Sequence, residues 1–387
     1  MRPAGRVRFT ALPPLSLYVH IPWCVRKCPY CDFNSHEARG DVPEQRYVDA
    51  LIADLECSLP AVWGGRVHCV FFGGGTPSLL SPEALDRFLS AARARLPIDA
   101  DAEITLEANP GTFEQGRFAA FRGLGINRLS VGIQSFDPAS LRAIGRIHDD
   151  AEARRAVAIA AGLFDNFNLD LMYALPGQRL EAAVADIAQA IAAGAPHVSA
   201  YHLTIEPNTY FHRYPPAVPE DDDAAEMQVR IEERLGEAGY THYETSAFAR
   251  PGHASRHNLN YWRFGDYLGI GAGAHGKLSF PDRVRREMRH KHPREYMAQA
   301  LAGSPLQSEH EVAADELPFE FMMNALRLNE GFPATLFEER TGLPLPTVRR
   351  ELEEAERRDW LTRDAMTIRP TALGRRFLND LLQHFLP

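Results

Sequence analysis

The chain has 387 residues, a formal net charge of -9 and 45% hydrophobic residues, enough for one large domain, or one large and one small, around a substantial core. The mild acidity argues against nucleic acid or an anionic membrane as the main partner, since both reward clustered Lys and Arg, and no apolar run is long enough to span a bilayer. Five cysteines, three of them inside one eight-residue stretch, do not form a disulfide framework and point to a reducing compartment, the cytoplasm.

Residues 1–16 read as an N-terminal extension. It carries Arg2, Arg6 and Arg8, but its short apolar stretch is broken by Pro13 and Pro14 and lacks a small-residue cleavage site, so no export signal is expected. A first strand is predicted at 17–20, followed at once by His20-Ile21-Pro22-Trp23-Cys24-Val25-Arg26-Lys27-Cys28-Pro29-Tyr30-Cys31. The C-x3-C-x2-C spacing lets Cys24, Cys28 and Cys31 face one inorganic cluster. Three thiolates on a four-iron cubane leave one iron free for an exogenous amine and carboxylate. Structural zinc is disfavoured, because no second C-x2-C or H-x3-H pair completes four ligands.

Further strands are expected at 67–72, 103–107, 128–133, 168–172 and 198–204. Helical periodicity lies between them at 44–57, 82–96, 114–124, 151–161, 180–193 and 224–237. Strict alternation predicts parallel β-α units, and six of them suggest an open or partial barrel. Polar and glycine residues gather at the carboxyl ends of the strands, where such folds build their sites: Gly73, Gly74, Gly75 and Thr76 after the second, Glu107 at the third, Gln134 at the fourth, then Arg146 and Asp170. These groups suit ribose, carboxylate and adenine. Tyr210 to Asp223, rich in Pro and Asp, reads as a linker or a lid over the barrel mouth.

The cysteine spacing with Tyr30 before the last cysteine resembles the signature of the radical S-adenosylmethionine superfamily. Leu15 to Cys24, Gly73 to Ser78, Glu107 to Gly111, Gly132 to Phe136 and Asn168 to Leu171 resemble the oxygen-independent coproporphyrinogen III oxidases and their relatives over nearly the whole chain. The resemblance implies a 4Fe-4S cluster on Cys24, Cys28 and Cys31. It also implies S-adenosylmethionine contacted by Tyr18, Gly74, Gly75, Thr76, Glu107, Gln134, Arg146 and Asp170, with Tyr30 against it. The oxidases carry a further cysteine two residues past the third, where this chain has Phe33. Asp32 to His36 is instead similar to the HemW-type branch, regarded as haem chaperones that pass haem to acceptors such as respiratory haem proteins.

His257-Asn258-Leu259-Asn260-Tyr261-Trp262 resembles the H-N-x-x-Y-W motif of that branch. A neutral imidazole suits haem iron and two aromatics suit a porphyrin face, so His257, Tyr261 and Trp262 are candidate haem residues. Gly269 to Gly276 lacks the acidic residue of a dinucleotide fingerprint and reads as backbone packed beside the pocket, with His275 a second ligand candidate. Arg283 to His292 is a basic run, most simply a solvated face. Cys57 and Cys69 are expected to be buried.

The large unit is expected at 17–305, with the haem motif in an extension at about 240–300, and a smaller region at 306–387. That region is mainly helical, with short β runs around Leu361 and 366–368, and so winged-helix-like. Its third helix balances acid against base, a poor footprint for DNA. The leading reading is a haem chaperone. The alternative is an oxidase in which cleavage of S-adenosylmethionine leads to oxidative decarboxylation of coproporphyrinogen III, and a metal-stabilised protein without redox chemistry is the third. A homodimer is compatible with the sequence, but no residue argues for it.

Overall fold

The computed structural model describes residues 6–112 and 115–387; Arg2 and the expected helix start at Glu114 lie outside them. Six parallel strands follow chain order across the sheet: β1 (Leu15–Ile21), β2 (Val67–Gly74), β3 (Ile98–Ala108), β4 (Arg128–Gln134), β5 (Phe167–Tyr173) and β6 (His197–His202). Helices Glu44–Ser58, Pro82–Arg95, Gln115–Gly123, Asp150–Leu163, Leu180–Ala192 and Asp221–Glu237 alternate with them, which gives the expected partial (β/α)6 barrel. Several helix starts are written locally. Ser81 caps the second with Pro82 behind it, and Asp149 with Glu152 forms a capping box on the fourth.

Alternation along the strands sets the two faces. Leu17, Val19 and Ile21 of β1 enter the large apolar cluster under the helices, with Val70, Phe72, Leu106, Leu129, Val131 and Leu169. Ser16, Tyr18 and His20 point the other way, into the barrel lumen, where Tyr18 meets Phe71 and His257. That lumen is polar lower down: Asn168, Ser130, His197, Ser199 and Tyr243 share a buried hydrogen-bond network.

Beyond the six-fold unit the sheet continues on both sides to twelve strands. Asp266–Ile270 joins β1 in parallel, then His275–Phe280, Arg283–Arg289 and Leu306–Glu311 follow antiparallel. Leu306–Glu311, expected to open the C-terminal region, is thus the outermost strand of the main sheet. Main-chain pairing outweighs its exposed, charged sequence, and the helical region begins after it. That region has its own apolar cluster around Phe321, Phe332, Phe337, Leu352, Ile368 and Phe385. Its small sheet has three strands, because Phe332–Pro333 joins Leu361–Arg363 and Thr367–Pro370. The last helical stretch is broken at Phe377 into Ala372–Arg376 and Leu378–Gln383. Among the described residues no helix is long and apolar enough to cross a membrane.

Two further sequence expectations change. Cys57 is exposed rather than buried, whereas Cys69 is buried as expected. The basic run is largely neutralised within the fold rather than solvated: Arg289 pairs with Asp54 and Glu287, Arg286 with Glu320, and Arg285 with Glu287 and Glu309.

Candidate functional site

The cysteine loop leaves the carboxyl end of β1 and is held at both ends. Trp23–Cys24 pairs with His36–Glu37, and the Thr76 amide donates to the Trp23 carbonyl at 2.7 Å. Gly75 sits so close to this loop that a Cβ there would lie 2.4 Å from the Trp23 oxygen, so the glycine is required sterically. On the far arm, Asn34 donates to the carbonyls of Ala272 and Lys291, both at 2.9 Å. Lys27 clamps the loop on itself through the carbonyls of Phe33 and Ser35.

Cys24, Cys28 and Cys31 are all half-buried. Burial raises the Cys24 and Cys31 thiols, and Thr76, Ser35 and Lys27 are among the groups that oppose the rise. Arg146 approaches Cys28 Sγ at 3.6 Å, and its other nitrogen donates to Asn109 Oδ1 and the Gly132 carbonyl, each at 2.6 Å. Asn109 in turn donates to Thr76. A half-buried cation beside the sulfurs suits thiolate ligands of a cluster, and Arg146 Nε has no hydrogen-bond partner among the described residues.

Sequence reasoning did not place Asn109 in the site, although it links the glycine turn, the arginine and β4. Its signal is an Asn directly before Pro110-Gly111 at a strand end, where the chain must turn and the side chain is free to bond laterally.

One cavity of about 810 Å³ opens between the cysteine loop and the barrel mouth, within the range of small-molecule sites. Tyr18, Gly74 and Glu107 line it together with Cys31, Phe33 and Glu206 to Asn208. The last of these stretches shows that the chain just before Tyr210 reaches the mouth. Phe211 packs by Tyr30, and its amide donates to the Pro29 carbonyl. Gln134 ends β4 with a φ of 68°, a left-handed conformation unusual outside glycine. Asp170 accepts from Ser130 and Asn168 deeper in the lumen. Gln134, Asp170, Gly75, Thr76, Tyr30 and Arg146 surround the cavity without lining it.

Glu107 accepts from the Gly74 amide at 3.1 Å. Burial, and then the charge of Asp170, push its carboxyl up from 4.5 to about 8. A carboxyl raised on folding favours the folded chain fully below its unfolded value, and that contribution fades as pH climbs through the folded one. The parent chain should therefore lose stability relative to Glu107→Gln between pH 4.5 and about 8. Chemical denaturation at stepped pH checks this; parallel profiles for the two proteins would refute it.

The three candidate haem residues do not share one surface. The Arg256–Trp262 helix plugs the lower lumen, its first amides donating to Glu103 and Asn260 bonding Ser16. His257 is 3% exposed, stacked on Phe71 at 4.4 Å and edge-on to Tyr261, with Nδ1 3.9 Å from Cys69 Sγ. Tyr261 reaches the cavity floor. Trp262 turns away, under Arg327 and against the C-terminal cluster. The helix is covered on two sides, so residues adjacent in the motif face different surroundings.

Six parallel β-α units with a three-cysteine loop after the first strand define a radical S-adenosylmethionine protein, and residues 18–190 match the Radical SAM superfamily. Residues 312–377 match the HemN C-terminal domain. The chain is 51% identical to the heme chaperone HemW of Escherichia coli strain K12, over 97% of this chain and 99% of that protein. It is 48% identical to the HemW of Haemophilus influenzae over 97% and 98%. The chain belongs to the HemW family. Among solved structures, the coproporphyrinogen III oxidase HemN of Escherichia coli superposes with a TM-score of 0.82 at 23% identity, covering 97% of this chain and 90% of that one, which shows a common fold. Membership of the superfamily implies a 4Fe-4S cluster and S-adenosylmethionine.

Proposed function

We propose that the protein binds haem and transfers it to acceptor haem proteins, respiratory ones among them, while carrying a 4Fe-4S cluster on Cys24, Cys28 and Cys31 and an exchangeable S-adenosylmethionine. When bound, the cluster supplies an iron with a free coordination position for the amine and carboxylate of S-adenosylmethionine. Gly74 and Gly75 bring backbone close to that ligand, Glu107 and Asp170 offer acceptors, and Arg146 with Asn109 fixes the cysteine loop against β4. Tyr18, Thr76, Gln134 and Tyr30 complete its surroundings. The reducing environment such thiolates need suits the cytoplasm.

The observation that carries this reading over the oxidase alternative is Phe33. It stands where the oxidases have a further cysteine, and its ring is 57% exposed at the cavity, so this site offers a flat apolar surface in place of another thiol. The test is an anaerobic assay of cluster-reconstituted protein with a strong reductant, S-adenosylmethionine and coproporphyrinogen III, beside haem transfer to apomyoglobin. Haem transfer without decarboxylated porphyrin is the expected result. Decarboxylated product well above the no-enzyme control would make the chain an oxidase that tolerates Phe33.

A further inference from the structure

We propose that His197 and Asn168 are positioning residues for Asp170, holding its carboxylate toward the nucleoside of S-adenosylmethionine, and that Tyr243 ties this contact to the start of the Arg256–Trp262 helix. The inference rests on the S-adenosylmethionine site proposed above and adds what fixes one of its acceptors.

Ser130 and Asn168 pair across β4 and β5, one step along the lumen face from Asp170 toward the amino ends of the strands. From there both reach the half-buried carboxyl: Ser130 Oγ donates to Oδ2 at 3.0 Å and Asn168 Nδ2 to Oδ1 at 2.8 Å. Each carboxylate oxygen has a second lone pair, so both can still accept from a ligand. With its amine and carboxylate taken up by cluster iron, S-adenosylmethionine has ribose hydroxyls and an adenine amino group left to donate.

A carboxylate only accepts, so the Asn168 amide turns its nitrogen to Asp170 and its oxygen away. That oxygen meets His197 Nδ1 at 2.7 Å, which therefore carries the proton. Burial, with the charges of Arg128 and His253, holds His197 well below its ordinary value, so the ring is neutral and has one N–H. Nε2 then accepts from the Tyr243 hydroxyl at 2.9 Å. Tyr243 accepts in turn from the amide of Ser255 at 3.3 Å, the residue that caps the Arg256–Trp262 helix. The donors of Ser255, Tyr243, His197 and Asn168 all point the same way, toward Asp170, and in such a chain each bond strengthens the next. The other partners of Asn168 are the hydroxyls of Ser130 and Ser199, which can donate or accept and so do not fix which way an amide faces. His197 does. It is fully buried and does not line the cavity, so its influence on a ligand passes through Asn168.

The experiment is equilibrium dialysis of S-adenosylmethionine against the anaerobically reconstituted full chain, with cluster content verified, for the parent, Asp170→Ala, His197→Asn, His197→Gln and His197→Leu. Asparagine places an amide nitrogen where Nδ1 stood and keeps the bond to Asn168, whereas glutamine places one where Nε2 stood and keeps only the side facing Tyr243. Asp170→Ala, His197→Gln and His197→Leu should each weaken binding by about tenfold, as expected when a hydrogen bond to a charged group is lost or misdirected, while His197→Asn stays within about threefold of the parent. A residue that merely filled the lumen would lower the urea midpoint of all three His197 variants without separating Asn from Gln in affinity. If the His197 variants do not fold, the parent decides through 15N-histidine magnetic resonance: S-adenosylmethionine should shift the His197 Nδ1 proton, and methionine, which lacks the nucleoside, should not. Equal affinities in the folded Asn, Gln and Leu variants, or no shift in the parent, would overturn the positioning role. Unaltered binding in Asp170→Ala would remove the contact that His197 is said to position. A parent that takes up no S-adenosylmethionine would instead bring down the cofactor site itself, and this inference with it.

Discussion

Serine at Cys24, Cys28 and Cys31 together removes the brown iron-sulfur absorbance of anaerobically reconstituted protein. The hydroxyl of serine does not ionise near neutrality and is a poor match for iron in such a cluster, where thiolate sulfur is the ligand of choice. No substitute is at hand: Cys57 is exposed on the Glu44–Ser58 helix, and Cys69 lies deep in β2 against His257. The folded barrel should persist, because the loop is held by backbone bonds from Ser35, His36, Gly75 and Thr76 that do not involve sulfur. Iron and acid-labile sulfide analysis beside circular dichroism checks both halves. A full cluster in the folded triple variant would refute the ligand assignment.

Asp54→Ala is the second large effect, and it acts far from the sulfurs. Asp54 is fully buried and holds Arg289 Nε at 3.2 Å, the Tyr296 hydroxyl at 2.8 Å and the Gly271 amide at 3.2 Å. Burial pushes its carboxyl up and the Arg289 charge opposes this. Removing it strands a guanidinium that is 1% exposed, although Glu287 and Ser58 still bond it. Breaking a buried pair from one side costs about 3 kcal/mol, near the lower end for such pairs because of that remaining support. The same change removes one of two acceptors of the Gly271 amide, the Tyr296 hydroxyl being the other, at a turn whose close approach to the His20 carbonyl needs a glycine at a φ of 102°. Urea denaturation should show a lowered midpoint with the slope preserved, and a loss under about 1 kcal/mol would mean that the network is redundant.

Much of this was legible in the chain. Alternating runs fix six strands and six helices because parallel β-α units leave strands apolar and helices one-sided, and the cysteine spacing, the glycine turn and Glu107 stand at strand ends where that architecture puts ligands. What escaped has common causes. Leu306–Glu311 carries exposed, charged side chains, and only its main-chain ladder to Arg283–Arg289 makes it a strand. Arg285, Arg286 and Arg289 looked like a solvated face because their carboxylate partners are distant in sequence, Asp54 and Glu320 among them. His257, Tyr261 and Trp262 look contiguous in a line of letters, yet successive helical positions point to different sides.

The Arg256–Trp262 helix belongs to two cores at once. Its lumen side carries His257 and Tyr261, while Leu259, Trp262 and then Phe264 belong to the cluster built by the last seventy or so residues. Neither core is complete without it. On the ribosome, the six β-α units emerge first with a wet interior, and their stopper arrives only with residues 256–262. That stopper is held in the lumen by Glu103 and Ser16, and its outer face is covered when the C-terminal helices follow. Completion of the barrel is thus coupled to folding of the region after residue 312, so the two regions should melt together as one cooperative unit rather than as independent foldons.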